Sequence, residues 1–110
     1  MKHVTEGQLL RIFTGESVKH AGKPLYEWIV LQAKEQGLSG ATVLQGIMGY
    51  GAHSRIHTAK ILRLSTDLPI IIEIIDSAEK VRDFLSHIDD AIESGLVTIE
   101  RAEVEMYRGG

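Results

Sequence analysis

Between Gly40 and Gly51 the chain reads Gly-Ala-Thr-Val-Leu-Gln-Gly-Ile-Met-Gly-Tyr-Gly, and the formal charges that follow are all cationic. From Ala52 to Thr66 these are Arg55, Lys60 and Arg63, joined by His53 and His57, and the next acid is Asp67. Glycines at the end of an apolar strand let backbone N–H groups approach a ligand, and adjacent cations favour an anion such as phosphate. The pattern points to binding rather than to bond breaking. A plain turn is the competing account of Gly49 and Gly51, since glycine pairs commonly end strands. The basic run is open to a similar account as a solvated face. Tyr50, held between glycines, offers its ring either to a planar ligand or to a subunit boundary.

Other chemistries find weaker support. His53 and His57 have the i, i+4 spacing of two metal ligands on one helical face, but no third ligand accompanies them. Ser54 beside these histidines lacks the orienting group that completes a triad. Glu73 and Asp76 are carboxylates at a strand end, and Asp76 is equally suited to capping the helix that follows. No Gly-x-x-x-x-Gly-Lys-Ser/Thr phosphate loop occurs. The chain is therefore not expected to be an enzyme.

The elements that must position these residues follow from hydrophobic periodicity. Gln8 to Thr14 reads as a first strand, Glu16 to Gly22 as a polar connection, and Pro24 to Gln36 as a helix that Gly37 stops. Its apolar face is Leu25, Trp28, Ile29 and Ala33, broadened by Val30 and Leu31, with Trp28 a core or subunit-contact residue. Ala41 to Met48 forms a second strand and Leu68 to Ile75 a third. The third places Ile70, Ile72 and Ile74 on one face and Ile71 and Ile75 on the other, so both faces are expected to be buried. Asp76-Ser-Ala-Glu79 has capping-box spacing, and Val81, Phe84, Leu85, Ile88 and Ile92 follow on one helical face until Gly95. Leu96 to Tyr107 returns to strand, with a change of phase at Arg101 that predicts a bulge.

Strand, helix, strand, strand, helix, strand is the order of an α+β ferredoxin-like βαββαβ sandwich, an antiparallel four-stranded sheet with two helices on one face. Residues 1–110 fit a single domain. Two helices cover one face of such a sheet, so copies of the same chain are expected on the other, in a cyclic homo-oligomer. With 44% hydrophobic residues, 25% charged and a net charge of −3, the composition does not call for nucleic acid or an acidic membrane. Cysteine is absent, which removes disulfides and thiolate chemistry and fits a reducing compartment. A cytoplasmic location is expected, because the N-terminus has no signal-like apolar core and the longest apolar run is too short to span a bilayer.

The text Gly37-Leu-Ser-Gly-Ala-Thr-Val followed by Gly49-Tyr50-Gly51, together with Ile56 to Asp76, resembles the PII-like branch of the nitrogen-regulatory PII signalling proteins. The resemblance implies a homotrimer with an adenine nucleotide in each cleft between neighbours. Gly49, Tyr50 and Gly51 would supply backbone contacts to the nucleotide, followed by His53. Gly40, Ala41 and Thr42 would face the cleft from the neighbouring subunit, and Arg108 would approach the phosphates. Arg55 and Lys60 join the set as cations beside the glycine turn. The chain departs from PII in having one more residue between Thr42 and Gly49, so that a bulge is expected near Gly46. It also lacks the PII Gly-Asp-Gly-Lys phosphate loop, with Ser94 to Val97 in its place, and has no counterpart of the long loop bearing a modifiable tyrosine. AMP or ADP is accordingly expected in preference to ATP.

These readings combine into a PII-like trimeric regulator that binds an adenine nucleotide, needs no other cofactor or metal, and acts on an unidentified partner protein through Ala52 to Thr66. A trimeric module that docks on a transporter or enzyme without nucleotide is one alternative. A metal-responsive trimer like the divalent-cation tolerance proteins, with the loop histidines as ligands, is another.

Overall fold

A computed structural model describes residues 2–50, 57–58 and 67–107. Strand β1 spans Lys2–Gly15, and a small hairpin follows from β2 (Lys19–His20) and β3 (Lys23–Pro24). Helix α1 is Leu25–Glu35, β4 is Thr42–Gln45, and the pair β5 (Met48–Gly49) and β6 (His57–Thr58) comes next. Then come β7 (Pro69–Asp76), α2 (Ala78–Ile88), a 3₁₀ turn at Asp89–Ala91, and β8 (Leu96–Tyr107). The main sheet has the order β4-β7-β1-β8 with every neighbouring pair antiparallel. This is the expected ferredoxin-like topology: each helix carries the chain over one intervening strand.

The core lies between the helices and one face of the sheet. Even-numbered Leu10 and Ile12 of β1 and Ile70, Ile72 and Ile74 of β7 point inward, as the two-residue strand period requires. They meet Leu25, Ile29 and Ala33 of α1 and Val81, Phe84 and Ile88 of α2. The other face stays open within one chain. Ile75 is 44% exposed and Leu44 45%, so β7 is not covered on both sides by its own chain.

Several local features differ from the sequence pattern. The stretch Glu16 to Gly22 is no mere connection but enters the β2–β3 hairpin, which turns on Ala21 and Gly22 with positive φ of 52° and 81°. Pro24 pairs with Lys19 there and becomes the residue before α1, whose first N–H, on Leu25, donates to the Val18 carbonyl at 2.8 Å. Trp28 is half-buried, edge-on to His20 with ring centroids 4.3 Å apart, while Leu31 faces away from the core. The C-terminus of α1 is a Schellman turn: Leu38 N–H donates to Ala33 O, Gly37 N–H to Lys34 O, and Gly37 has φ of 80°.

Ser77, not Asp76, caps α2, its hydroxyl accepting from Lys80 N–H at 3.2 Å. The helix stops at Ile88, leaving Ile92 beyond the 3₁₀ turn yet still packed on the core. Gly95 serves the turn into β8 with φ of 137°. The bulge at Arg101 is absent, because β1 and β8 pair in unbroken register from Lys2↔Tyr107 to Phe13↔Leu96. What changes there is the apolar face. Val97 and Ile99 look toward the helices, whereas Ala102 and Val104 lie on the open side. Near Gly46 the pairing with β7 ends rather than bulging: Gly46 N–H donates to Pro69 O at 2.8 Å, and the chain then pairs as β5 with β6.

Phe84 is the largest side chain sealed between helix and sheet. Phe84→Ala is expected to cost about 3–5 kcal/mol, read as a lower denaturant midpoint in equilibrium unfolding.

Candidate functional site

Strand β7 stops at Asp76 opposite Gln8, while β1 runs on to Lys2 paired with β8 alone. The step left in the sheet is a groove of about 560 Å³ beside the segment Ser39 to Thr42. Gly7 is part of its floor. A Cβ there would lie 3.0 Å from both Asp76 O and Val104 Cγ2, so only glycine keeps the floor low. Gly40, Ala41 and Thr42 form one wall.

Gly40 has open space wherever a Cβ would project, and its φ is not in the positive region. Among the described residues nothing requires glycine at this position. Gly49 differs. A Cβ on it would stand 3.0 Å from Pro69 Cγ, and one on Gly46 only 2.6 Å from the same atom. These two glycines let the chain cross the proline ring at the start of β7, which accounts for them by packing alone. Tyr50 is 73% exposed and is free to meet a ligand or another chain.

The two parts of the predicted site are well apart within one chain. Ser39, next to Gly40, is held at Asp76, whereas Gly49 packs on Pro69 at the other end of β7. Along β7 the Ser39 anchor at Asp76 is seven residues from Pro69, roughly 23 Å at the usual rise, and Thr42, opposite Glu73, is four residues from it, roughly 13 Å. Gly51, His53, Arg55, Lys60 and Arg108 lie outside the described residues, as does most of the segment from Ala52 to Thr66. His57 is in strand β6, opposite Gly49, so the helical geometry that i, i+4 metal ligation would need is absent at that residue. Among the described residues no group of three or more His, Cys, Asp or Glu is placed to hold a metal ion.

The groove's charge is acidic, with Glu6, Glu73 and Asp76 at its lining and the hydroxyls of Ser39, Thr42 and Ser77 beside them. Glu73 is engaged by Arg11, whose Nε donates to Glu73 Oε2 at 2.8 Å and whose other arm reaches Glu100. The hydrogen bond to Glu73 is the main cause that raises the Arg11 pKa. Such a lining suits hydroxyl and amino donors of a sugar or base and repels phosphate.

Asp76 is the most connected of these groups. Its Oδ2 accepts from Ser39 N–H at 2.9 Å and from the Ser39 hydroxyl at 3.2 Å, and its Oδ1 accepts from Ser77 N–H at 2.7 Å. Partial burial works against the charge, but these hydrogen bonds, with Lys80 nearby, outweigh it and hold the carboxyl below its usual range. The sequence pattern allotted Asp76 to helix capping and passed over Ser39 and Gly7. With Ser77 able to cap the helix, Asp76 was left available, but no local pattern named Ser39 as its partner.

The chain belongs to the DUF190 family (uncharacterized ACR), whose model matches residues 7–104. It is 45% identical over 101 residues to a UPF0166 protein of Aquifex aeolicus, covering 92% of this chain and 95% of that protein. A UPF0166 protein of Methanocaldococcus jannaschii is 35% identical over 105 residues, 94% of each chain. The fold is that of PII-like proteins. CPII from Thiomonas intermedia K12, a nitrogen regulatory PII-like protein bound to ADP, AMP and bicarbonate, superposes with a TM-score of 0.70 at 20% identity, covering 93% of this chain and 91% of that one.

Gly40→Ala is expected to change stability by no more than about 0.5 kcal/mol, and Gly46→Ala to lower it by about 1–3 kcal/mol, in the same denaturant titration. Because the folded Asp76 pKa is depressed, its contribution is present above the ordinary carboxylate value of about 3.9 and is lost as pH falls below it toward the folded pKa. Asp76→Asn is therefore expected to flatten the acid limb of a stability–pH profile.

Proposed function

We propose that this protein is a PII-like homotrimeric regulator that binds AMP or ADP in clefts between its subunits and passes occupancy to a partner protein. The observation that carries this reading is that Gly40, next to Ser39 at the Asp76 end of β7, and Gly49, on Pro69 at its start, lie toward opposite ends of that strand. The PII-like resemblance implies that the two elements facing one nucleotide come from different copies, which accommodates such a separation. The unexplained space at Gly40, the acidic and hydroxyl-lined groove beside it, and the nucleotides bound by CPII support the same reading. Within it, the nucleoside lies toward the groove, and the phosphates lie toward Gly49, Tyr50 and Gly51, with His53, Arg55, Lys60 and Arg108 as their basic neighbours. The open sheet face, with exposed Leu44, Ile75 and Leu96, supports assembly, because apolar area of that kind gains from burial against copies.

No catalytic step is assigned, and the cytoplasm is the compartment where these nucleotides would be met. Among the described residues no helix is long and apolar enough to cross a membrane. A ligand that contacts Tyr50 and the residues after it would change the affinity for whichever protein docks there. Ile47, 80% exposed, and Met48, 59% exposed, also favour a second reading, in which the same end docks on a partner without any nucleotide.

Isothermal titration of the purified protein with AMP, ADP and ATP, alongside light scattering, separates the two. Saturable binding near one AMP or ADP per subunit of a trimer is expected, with ATP weaker. Gly40→Val is expected to abolish it without loss of fold or assembly. Gly49→Val is a poor probe, since its collision with Pro69 would confound any loss. A trimer that binds none of the three nucleotides would leave the docking platform as the function.

A further inference from the structure

The connection from α1 to β4 carries Gly40 and Ala41 to the groove, yet it has little regular structure of its own. It is pinned at two points by the start of α2 and the end of β7. Lys80 Nζ donates to Gly37 O at 3.1 Å, which fixes the turn out of α1. Asp76 Oδ2 accepts the Ser39 N–H at 2.9 Å, and the Ser39 hydroxyl shares its one proton between Ile75 O at 2.8 Å and Asp76 Oδ2 at 3.2 Å. Beyond Ser39, the next backbone attachment is the β4–β7 pairing that begins at Thr42↔Glu73. Gly40 and Ala41 are thus spanned between two anchors, one a single carboxylate.

We propose that Asp76 is the positioning residue of the nucleotide cleft, holding Ser39 so that Gly40 to Thr42 present a preset wall to the ligand. The inference rests on the function proposed above. Both Asp76 oxygens accept from the protein's own donors, Oδ2 from Ser39 and Oδ1 from Ser77, so the carboxylate acts on the wall through Ser39. The role needs a carboxylate. An Asn amide has one oxygen and one NH₂, so whichever way it turns it sets a donor against either the Ser39 or the Ser77 N–H. Preset walls favour binding because the ligand does not have to order them.

The test compares wild type with Asp76→Asn and Ser39→Ala by amide hydrogen exchange of the free protein and by titration with AMP and ADP. In Asp76→Asn, exchange at Ser39 and Gly40 is expected to accelerate while the cores of α1 and α2 stay protected. Affinity for AMP and ADP is expected to fall by the same factor, about ten- to a hundredfold, the scale of one lost charge-assisted hydrogen bond. Ser39→Ala, which keeps the N–H bond, is expected to lose less in the same direction, and it decides the matter if Asp76→Asn does not fold. Unchanged exchange at Ser39 in a folded Asp76→Asn overturns the inference whatever the wild type binds. So does faster exchange with undiminished affinity, the signature of a purely structural anchor. A wild type that binds neither nucleotide overturns the proposed function and with it the cleft role of Asp76, while the exchange result still reports separately whether the carboxylate holds the loop.

Discussion

Two helices of 11 residues each must cover a sheet whose β1 and β8 strands run for 14 and 12 residues. At about 1.5 Å per helical residue and about 3.4 Å per strand residue, the cover is far shorter than what lies beneath it. The consequences run through the molecule. Where the helices lie, even positions of β1 and β7 are sealed and the alternation of side chains is strict. Where they do not, β1 and β8 continue as a two-stranded arm, and the apolar residues of β8 change sides from Val97 and Ile99 to Ala102 and Val104. The groove lies at this boundary, where β7 has ended and β1 has not.

The uncovered face is apolar around a charged centre. Leu44 and Ile75 are exposed on it, while Arg11 binds Glu73 and Glu100 across three strands. A guanidinium between two carboxylates can be desolvated more cheaply than any of the three charges alone, although such a network favours a defined arrangement more than it favours stability. The face is therefore compatible with burial against like chains while constraining how they align. The glycines divide by the same spatial logic. Gly46 and Gly49 admit a proline ring and Gly7 admits a neighbouring strand, whereas Gly40 borders empty space and so marks the surface that something outside the chain can fill.

The elements were legible because their determinants are local. Val81, Phe84 and Ile88 repeat at helical spacing, Ile70, Ile72 and Ile74 alternate, and Gly37 stops α1 as its position implied. Errors arose where one local pattern has two spatial solutions. The phase change at Arg101 fitted a bulge as well as a change of covered face, and Ile92 fitted a helical period that the 3₁₀ turn had already ended. The β2–β3 hairpin was hidden because it turns on Ala21, a residue seldom found at positive φ. Of the site, Gly40 to Thr42 could be placed on a strand entrance, but no local signal revealed that Gly49 belongs at the opposite end of β7 from the groove.

By itself the sequence determined which segments become helix and strand, which of their faces are apolar, and that a glycine-rich strand end precedes a cationic run. Those properties depend on residues within a turn or two of one another. Only the tertiary structure decided that the groove opens beside Asp76, that Ser39 is clasped by a carboxylate 37 positions away, and that Pro69 accounts for Gly46 and Gly49 but not for Gly40. Contacts between distant residues are set by strand order and register, and an unaccompanied chain carries no local mark of either.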